Sequence, residues 1–174
     1  MQEILDRAAR IKLVVFDVDG VLTDGSLYLG DDGQEYKAFN SKDGLGMKML
    51  QASGIDIGII TARTSDVVRI RMESLGIRHV YQGRQQKLPA LQELKQKLQL
   101  SDEQIAYVGD DVVDLPIMRR VGLAITVQDA HKMAIKHAHW QTRAAGGRAA
   151  AREVCELLME AQGTLQQALD PFLR

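Results

Sequence analysis

One cysteine, almost no net charge and no long apolar run set the first limits on this chain of 174 residues. The single Cys155 excludes an intrachain disulfide. The 22 basic and 23 acidic residues give a net charge of −1, so we expect neither nucleic acid nor an anionic membrane surface as a partner. No apolar stretch approaches the length that spans a bilayer, which argues against membrane insertion.

The remaining composition is that of an average globular protein, with 45% apolar and 26% charged residues. The length suits one domain, 1–174, with a sizeable core. The N-terminal stretch MQEILDRAARIK mixes both charge signs, unlike a secretory signal peptide. Cys155 falls within the helical pattern AAAREVCELLMEA, where a small buried residue is the ordinary interpretation. We therefore expect a cytoplasmic location.

Short apolar runs alternate with segments of helical spacing along most of the chain. The runs predicted as strands are IKLVVF, IDIGII, HVY, IAYVGD and GLAITV. The segments predicted as helices are 44–52, 65–75, 88–98, 113–121 and 148–161. The strands lack polar alternation, which indicates burial on both faces, as in a parallel sheet covered by helices. The pattern predicts an α/β fold with a doubly wound parallel sheet.

The segment 26–39, SLYLGDDGQEYKAF, departs from this alternation. Two β-like runs flank Asp32-Gly33, a combination that predicts a β-hairpin. A lone two-stranded hairpin is only marginally stable in water, so this one needs a further surface to pack on. Its own domain or a second subunit can supply that surface, and we favour the subunit because the domain is complete without the hairpin.

Polar side chains follow the predicted strands at the points where the strands end. Asp17 and Asp19 come after the first strand, and Thr61 comes after the second. Lys87 begins the helix after the third strand, and the fourth strand is followed by Asp110, Asp111 and Asp114. Because ligands bind beyond the carboxyl ends of the strands in open α/β sheets, we expect these side chains to meet in one site.

These residue types suit the transfer of a phosphoryl group. A carboxylate about 4 Å from a phosphate is repelled by about 1 kcal/mol per charge pair in water and by about 4 kcal/mol in a partly buried site. A Mg²⁺ ion held by Asp17 and Asp110 would offset that repulsion. Asp17 could then attack phosphorus and form an aspartyl-phosphate, with Asp19 as acid and then base. Lys87 and Thr61 would stabilise charge on the transferred group.

The chain resembles the haloacid dehalogenase (HAD)-like phosphatases at four motifs, in the family's order. The motifs are DVDGVLTD, the Thr of ITAR, Lys87 and GDDVVD. Longer strings, DGVLTDG, NSKDGLGMKML, GDDVVDLPIM and AGGRAAAREVCELLMEAQG, are similar to a branch of the family that acts on an octulosonate 8-phosphate. The resemblance extends over nearly the whole chain. It implies a HAD-like Rossmannoid fold with a β-hairpin insertion and without the cap domain that many relatives carry.

The resemblance also implies the ligands and the assembly. It implies a Mg²⁺-dependent enzyme that acts on a small-molecule sugar acid phosphate in lipopolysaccharide inner-core synthesis and forms a homotetramer through its hairpins. A neighbouring subunit and the Gly-rich tail, 145–174 with Arg148, would help to close the site. The metal would be held by Asp17, Asp19 and Asp110. The substrate would contact Asp19, Asn40, Ser41, Lys42, Asp43, Gly44, Lys48, Arg63, Arg71 and Lys87.

Several local roles stay open at this stage. Asp114 can bind the metal or support the catalytic lysine. Asp111 can bind the metal through water or cap the following helix, and Asp24 fits a turn at the base of the hairpin. His137 and His139 lack a third ligand nearby, so ordinary surface or strand residues are a better interpretation than a zinc site.

Three other functions use the same residue types. Phosphatase activity on a nonulosonate 9-phosphate is one, because the catalytic core recognises only phosphate and metal. A receiver-type signalling module is the second; receivers carry a lone accepting aspartate on a later strand than their acidic pair, whereas here a second acidic cluster follows Lys87. A non-catalytic assembly subunit is the third, and the complete catalytic set argues against it.

Overall fold

A computed structural model describes residues 1–173. The strands are β1 (Leu13–Phe16), β2 (Tyr28–Leu29), β3 (Glu35–Tyr36), β4 (Asp56–Ile60), β5 (His79–Tyr81), β6 (Ile105–Gly109), β7 (Leu123–Thr126) and β8 (Trp140–Gln141). Six of them form one sheet in the order β5-β4-β1-β6-β7-β8, and every neighbouring pair is parallel. The predicted doubly wound parallel sheet is confirmed, since helices cover both of its faces.

The helices occupy the segments between the strands. They are α1 (Gln2–Ala8), α2 (Ser41–Ala52), α3 (Asp66–Ser74), α4 (Lys87–Leu98), α5 (Leu115–Met118), α6 (Lys132–His137), α7 (Ala150–Ala161) and α8 (Leu165–Leu169). Helices α1, α2, α3 and α7 pack on one face of the sheet, and α4, α5 and α6 pack on the other. Within residues 1–173, no helix combines the length and apolar character needed to cross a bilayer.

The central strand β1 explains the apolar runs in the sequence. Val14 and Phe16 point to one face of the sheet while Leu13 and Val15 point to the other, and all four are fully buried. Strands β4 and β6 flank β1 on its two sides. The next residue, Asp17, therefore leaves the sheet between two neighbouring strand ends. Burial on both faces supplies the hydrophobic stabilisation and fixes the position of this carboxylate.

The predicted hairpin consists of β2 and β3, inserted between β1 and α2. Tyr28 and Tyr36 face each other across the two strands, and both rings are exposed. The turn uses Gly33 at a φ of +80°, while the Asp32 carboxylate accepts a hydrogen bond from the Gln34 N–H. Between β1 and α2, the described chain holds this hairpin and no cap domain, so the carboxyl edge of the sheet stays open.

Candidate active site

Lys87 lies between two carboxylates at the start of α4. Its ammonium is 2.5 Å from Asp17 Oδ2 and 2.7 Å from Asp114 Oδ1, and its side chain is 1% exposed. Burial disfavours the ammonium, but the two carboxylates outweigh burial and raise the pKa of Lys87. Lys87 is therefore a fixed positive charge in the middle of the site.

Asp17 is held from two sides directly after β1. Its backbone N–H donates to the Val108 carbonyl at 3.0 Å, which keeps the end of β1 paired with β6. Its Oδ1 accepts from the Val18 N–H at 2.7 Å, while Oδ2 faces Lys87. Burial raises the pKa of Asp17 to about 6, although Lys87 acts in the opposite direction. One lysine is thus too little positive charge for this carboxylate.

Asp110 follows β6 and lies against the loop that carries the DxD pair. Gly20 in that loop has a φ of +88°, and a Cβ at this position would lie 2.1 Å from Asp110 Oδ2. Only glycine permits this close approach. Burial raises the pKa of Asp110 to about 7, with further contributions from Asp114 and Asp17. The second carboxylate of the site also lacks compensating charge.

The fully buried Asp114 uses all its acceptor positions within the protein. Oδ1 accepts from Lys87 Nζ at 2.7 Å and from the Tyr107 hydroxyl at 2.6 Å. Oδ2 accepts from the N–H groups of Asp110 and Asp111 at 3.0 and 3.2 Å. No oxygen is left for a metal, so this geometry selects the second of the two roles considered from the sequence: Asp114 supports Lys87 and the loop after β6.

The remaining carboxylates fit a divalent cation. Asp17, Asp110 and Asp114 each bring a carboxylate oxygen within 4.8 Å of the others. Because the oxygens of Asp114 are already bonded, Asp17 and Asp110 are the two that could hold an ion. An all-oxygen donor set with excess negative charge is what Mg²⁺ prefers. The carboxylate of Asp19, the third predicted ligand, lies outside this group.

Asp19 faces the hairpin. Its Oδ1 is 2.5 Å from Lys37 Nζ, and its Oδ2 is 4.0 Å from Arg63 Nε. Arg63, predicted to bind substrate, also contacts Glu35 Oε1 through Nη2 at 2.8 Å. The sequence prediction missed Lys37 and Glu35, because a single charged residue in a hairpin has no local pattern that separates it from an ordinary surface charge.

Thr61, which the sequence predicts to be catalytic, lies at the end of the neighbouring strand. It follows β4 and is buried, and its N–H donates to the Tyr81 carbonyl at 2.9 Å. Its own carbonyl accepts from the Arg84 N–H at 3.0 Å. These bonds hold the turn after β4 at the same edge of the sheet as Asp17, where the sequence prediction placed the threonine.

The predicted substrate segment, 40–44, forms the N-terminal end of α2 and contacts the start of α7. Asn40 caps α2 by accepting from the Lys42 N–H at 2.9 Å. The buried Asp43 accepts from the Arg152 N–H at 2.7 Å and so caps α7. A Cβ on Gly44 would lie 2.3 Å from Arg71 Nη2, so the arginine packs directly on the helix backbone. Within one chain, the residues predicted to bind substrate therefore stabilise the starts of α2 and α7.

Other predicted substrate residues lie on the surface of α2 and α3. Ser41, Lys42 and Lys48 are exposed on α2, and Lys48 lines a groove beside Phe172. The Arg71 guanidinium lies 5.9 Å from the centre of the Phe39 ring. In the part of the chain that the structure describes, Ser41, Lys42, Lys48 and Arg71 make no ion pair with the carboxylates predicted to be catalytic.

The Gly-rich segment that was expected to form a lid lies against the DxD loop in this structure. A Cβ on Gly146 would lie 1.9 Å from the Gly20 carbonyl oxygen. The Gly147 N–H donates to the Val21 carbonyl at 2.9 Å. Arg148 is exposed and lies 3.7 Å from Asp24. Within one chain, the segment supports the loop of Asp17 and Asp19 and leads into the buried helix α7.

The structure also shows the contacts of the other residues whose roles the sequence left open. Asp111 accepts from the Val112 N–H at 2.7 Å and thereby caps the short 3₁₀ turn that follows. Asp24 accepts from the Ser26 N–H at 3.0 Å, as expected for a turn residue. His139 Nδ1 accepts from the Ala124 N–H at 2.9 Å, and the described residues show no metal-binding cluster around His137 and His139.

Comparison with known proteins places this site in a family. A family model for haloacid dehalogenase-like hydrolases matches residues 59–150. The 3-deoxy-D-manno-octulosonate 8-phosphate phosphatase KdsC of Escherichia coli K12 is 48% identical over 166 residues, which cover 95% of this chain and 88% of that protein.

Solved structures agree with this match. A probable YrbI family phosphatase from Pseudomonas syringae pv. phaseolica is 52% identical with a TM-score of 0.98, covering 100% of this chain and 99% of that chain. The 3-deoxy-D-manno-octulosonate 8-phosphate phosphatase from Moraxella catarrhalis, in complex with magnesium, phosphate and KDO, is 41% identical with a TM-score of 0.97, covering 99% of both chains. With this fold, this site and these relatives, the chain belongs to the 3-deoxy-D-manno-octulosonate 8-phosphate phosphatase family of haloacid dehalogenase-like hydrolases.

Proposed function

We propose that this chain is a Mg²⁺-dependent phosphatase that hydrolyses 3-deoxy-D-manno-octulosonate 8-phosphate (Kdo 8-phosphate) to Kdo and inorganic phosphate. One observation carries the proposal: the chain matches the Moraxella catarrhalis phosphatase, a complex with magnesium, phosphate and KDO, over 99% of its length at a TM-score of 0.97. The site is consistent with it, because nucleophile, acid–base group, lysine, threonine and metal-binding carboxylates are all present.

The attacking group in this proposal is Asp17. The Val18 N–H and Lys87 hold its carboxylate at the mouth of β1. One of its oxygens would bond to phosphorus while the bond to the sugar oxygen breaks, which forms an aspartyl-phosphate and frees the sugar alcohol. Lys87 and the Thr61 hydroxyl would stabilise the negative charge on the phosphoryl oxygens.

Asp19 would provide proton transfer on both halves of the reaction. It lies two residues after Asp17, and its carboxylate pairs with Lys37 outside the group of Asp17, Asp110 and Asp114. As an acid it would protonate the departing sugar oxygen; as a base it would then take a proton from the water that hydrolyses the aspartyl-phosphate. When bound at Asp17 and Asp110, Mg²⁺ would offset the repulsion between these carboxylates and the phosphate.

The test is phosphate release from a panel of sugar phosphates with Mg²⁺ or with excess EDTA. We expect Kdo 8-phosphate to be turned over with the highest kcat/KM and the activity to disappear in EDTA, because the site has too little positive charge without the cation. Glucose 6-phosphate provides the matched control, since it carries a phosphate but no carboxylate.

Other outcomes of this assay separate the alternatives. Preferred turnover of a nonulosonate 9-phosphate would keep the mechanism and replace the substrate. Absence of turnover by folded, Mg²⁺-loaded protein would contradict the proposal and favour a receiver-type module or an assembly subunit.

We further propose that the chain is one domain, 1–174, that assembles as a homotetramer through its hairpins. The support is the hairpin, where Tyr28 and Tyr36 face each other across β2 and β3 and are exposed, as are Leu27 and Leu29 on either side of Tyr28. A two-stranded hairpin with these apolar side chains gains stability by packing on a second copy. The tetramer would bring neighbouring subunits to the open side of the capless site.

Light scattering coupled to gel filtration tests this assembly. We expect a mass about four times that of the 19.3 kDa chain, and we expect Tyr36→Glu to lower it because the substitution places a charge in the contact. Ile135→Glu on α6 is the matched control, since Ile135 is also an exposed apolar residue but lies outside the hairpin. A monomeric wild-type protein would contradict the proposal.

A cytoplasmic location is part of the same proposal. Its support is the single cysteine, Cys155, which is buried in α7 as a free thiol. Burial raises the pKa of this thiol above its usual range, so the cysteine behaves as an unreactive core residue. Recovery of the protein from the periplasmic fraction of the source cells would contradict this location.

A further inference from the structure

The hairpin presents two different faces. Glu35 in β3 and Lys37, which follows β3, direct their side chains to the same side, since Lys37 Nζ lies 3.5 Å from Glu35 Oε1, whereas Tyr36 between them is exposed. Tyr36 as a residue is 59% exposed, whereas the side chain of Lys37 is 1% exposed. The charged face of β3 therefore lies against the catalytic loop of the same chain, and the aromatic face remains free for assembly.

Four charged side chains meet on this inner face. Lys37 Nζ is 2.5 Å from Asp19 Oδ1 and 3.5 Å from Glu35 Oε1. Arg63 Nη2 is 2.8 Å from the same Glu35 oxygen, and its Nε is 4.0 Å from Asp19 Oδ2. The two cations alternate with the two carboxylates, so each oxygen of Asp19 faces a positive group supplied by another element.

Because the Lys37 side chain is buried, its ammonium depends on the carboxylates beside it. An ammonium without water requires paired carboxylates, because an unpaired buried charge costs several kcal/mol. Lys37 finds only Asp19 and Glu35 within ion-pair distance among the described residues. The lysine and Asp19 consequently restrict each other to one orientation.

Orientation is the property that an acid–base carboxylate requires. Proton transfer needs a donor within about 3 Å of the leaving oxygen, and a freely rotating aspartate spends much of its time elsewhere. Neither the metal-binding group nor Lys87 contacts the Asp19 carboxylate. The hairpin and Arg63 are thus the groups that fix it.

We propose that Lys37 is a positioning residue for the proton-transfer step: it holds the Asp19 carboxylate in the orientation from which the sugar oxygen is protonated. The proposal rests on the acid–base role of Asp19 given under the proposed function. It makes the hairpin part of the catalytic apparatus as well as an assembly element, because Tyr36 at the end of β3 is exposed while Lys37, the next residue, is directed to Asp19.

Lys37→Met tests the proposal, because methionine keeps the length and apolar stem of the side chain and removes its charge. We expect kcat on Kdo 8-phosphate to fall about 100-fold, the lower range for loss of general acid–base assistance. On p-nitrophenyl phosphate, whose phenolate leaves without a proton, we expect the first, phosphoryl-transfer step in a pre-steady-state burst to fall less than about fivefold. KM should change little.

Two further variants separate positioning from a general structural effect. Lys37→Arg retains a cation beside Asp19 and is expected to recover at least about tenfold of the lost kcat. Lys97→Met, which removes an exposed lysine of α4 without an ion pair, should behave as wild type on both substrates. Thermal unfolding of each variant, with Mg²⁺ present, checks that the compared proteins are folded.

Results that contradict the role of Lys37 can be distinguished from results that contradict the proposed substrate. Equal losses on the alkyl and aryl phosphates would show a structural role, and a raised KM with unchanged kcat would show a substrate contact; either result overturns the proposal. Failure of wild-type protein on Kdo 8-phosphate would instead refute the proposed substrate. In that case the same comparison uses the best alkyl phosphate of the panel, and the proposal for Lys37 is still decided.

Discussion

Replacement of Asp17 by asparagine should abolish turnover while the protein remains folded. We expect kcat to fall by about 10⁴-fold or more, as in other hydrolases that lose their nucleophile. The amide has the shape of the carboxylate, but it has no charged oxygen that can attack phosphorus. It also weakens the proposed metal site, since Asp17 and Asp110 are the two available carboxylates.

The fold should tolerate this change because the native charge is poorly compensated. Burial raises the pKa of Asp17 to about 6, which means that the folded protein already disfavours the negative form. An asparagine at this position keeps an oxygen for the Val18 N–H but turns its NH₂ group toward the Lys87 ammonium, which keeps Asp114 as its partner. Removal of the disfavoured charge offsets part of the cost of that donor, so we expect Asp17→Asn in EDTA to unfold in one cooperative transition, with a smaller loss of stability than Asp114→Asn.

Two measurements on Asp17→Asn decide the mechanism. Phosphate release gives the loss of turnover, and acid quenching after a single turnover reports phosphate covalently retained on the wild-type protein. Asp56→Asn is the control, since Asp56 is an exposed carboxylate at the opposite, amino end of β4. Activity of Asp17→Asn within about tenfold of wild type, or covalent phosphate on that variant, would refute the aspartyl-phosphate on Asp17.

Five of the six strands of the sheet were predictable because each is a short apolar run; every residue of β1, β6 and β7 is buried, whereas the edge strand β5 is only half-buried. Strand β8 (Trp140–Gln141) was not predicted, because two residues beside polar neighbours carry no such pattern. Helices α1, α6 and α8 were also missed. They have only seven, six and five residues, too few for a periodic pattern, and packing against the sheet supplies the stability that helices of this length lack.

In the site, too, some residues could be predicted from the sequence and others could not. Asp17, Thr61, Lys87 and Asp110 were predictable because topology alone brings the carboxyl ends of parallel strands together. The ion pair of Lys37 with Asp19 joins residues 18 apart in the sequence and depends on how the hairpin folds back. The role of Asp43 as a cap for α7 joins residues 109 apart. No local pattern specifies contacts of this kind.

The largest expected effect on stability comes from Asp114→Asn. The native carboxylate accepts from Lys87 and the Tyr107 hydroxyl on one oxygen and from two backbone N–H groups on the other. An amide has only one oxygen, so its NH₂ group must face either the Lys87 ammonium or the two backbone N–H groups. We expect the free energy of unfolding to fall by about 3 kcal/mol, the range for breaking a buried ion pair and leaving donors unsatisfied.

Chemical denaturation in EDTA measures this loss without a contribution from bound cation. Tyr107→Phe is the matched variant, because it removes one donor to Asp114 and leaves the other three; about 1 kcal/mol is expected. A direct metal ligand would behave differently: Asp114→Asn would then keep its stability in EDTA and lose only the stabilisation that Mg²⁺ adds. That result would return Asp114 to the metal site, whereas an equal loss with and without Mg²⁺ establishes it as the support of Lys87.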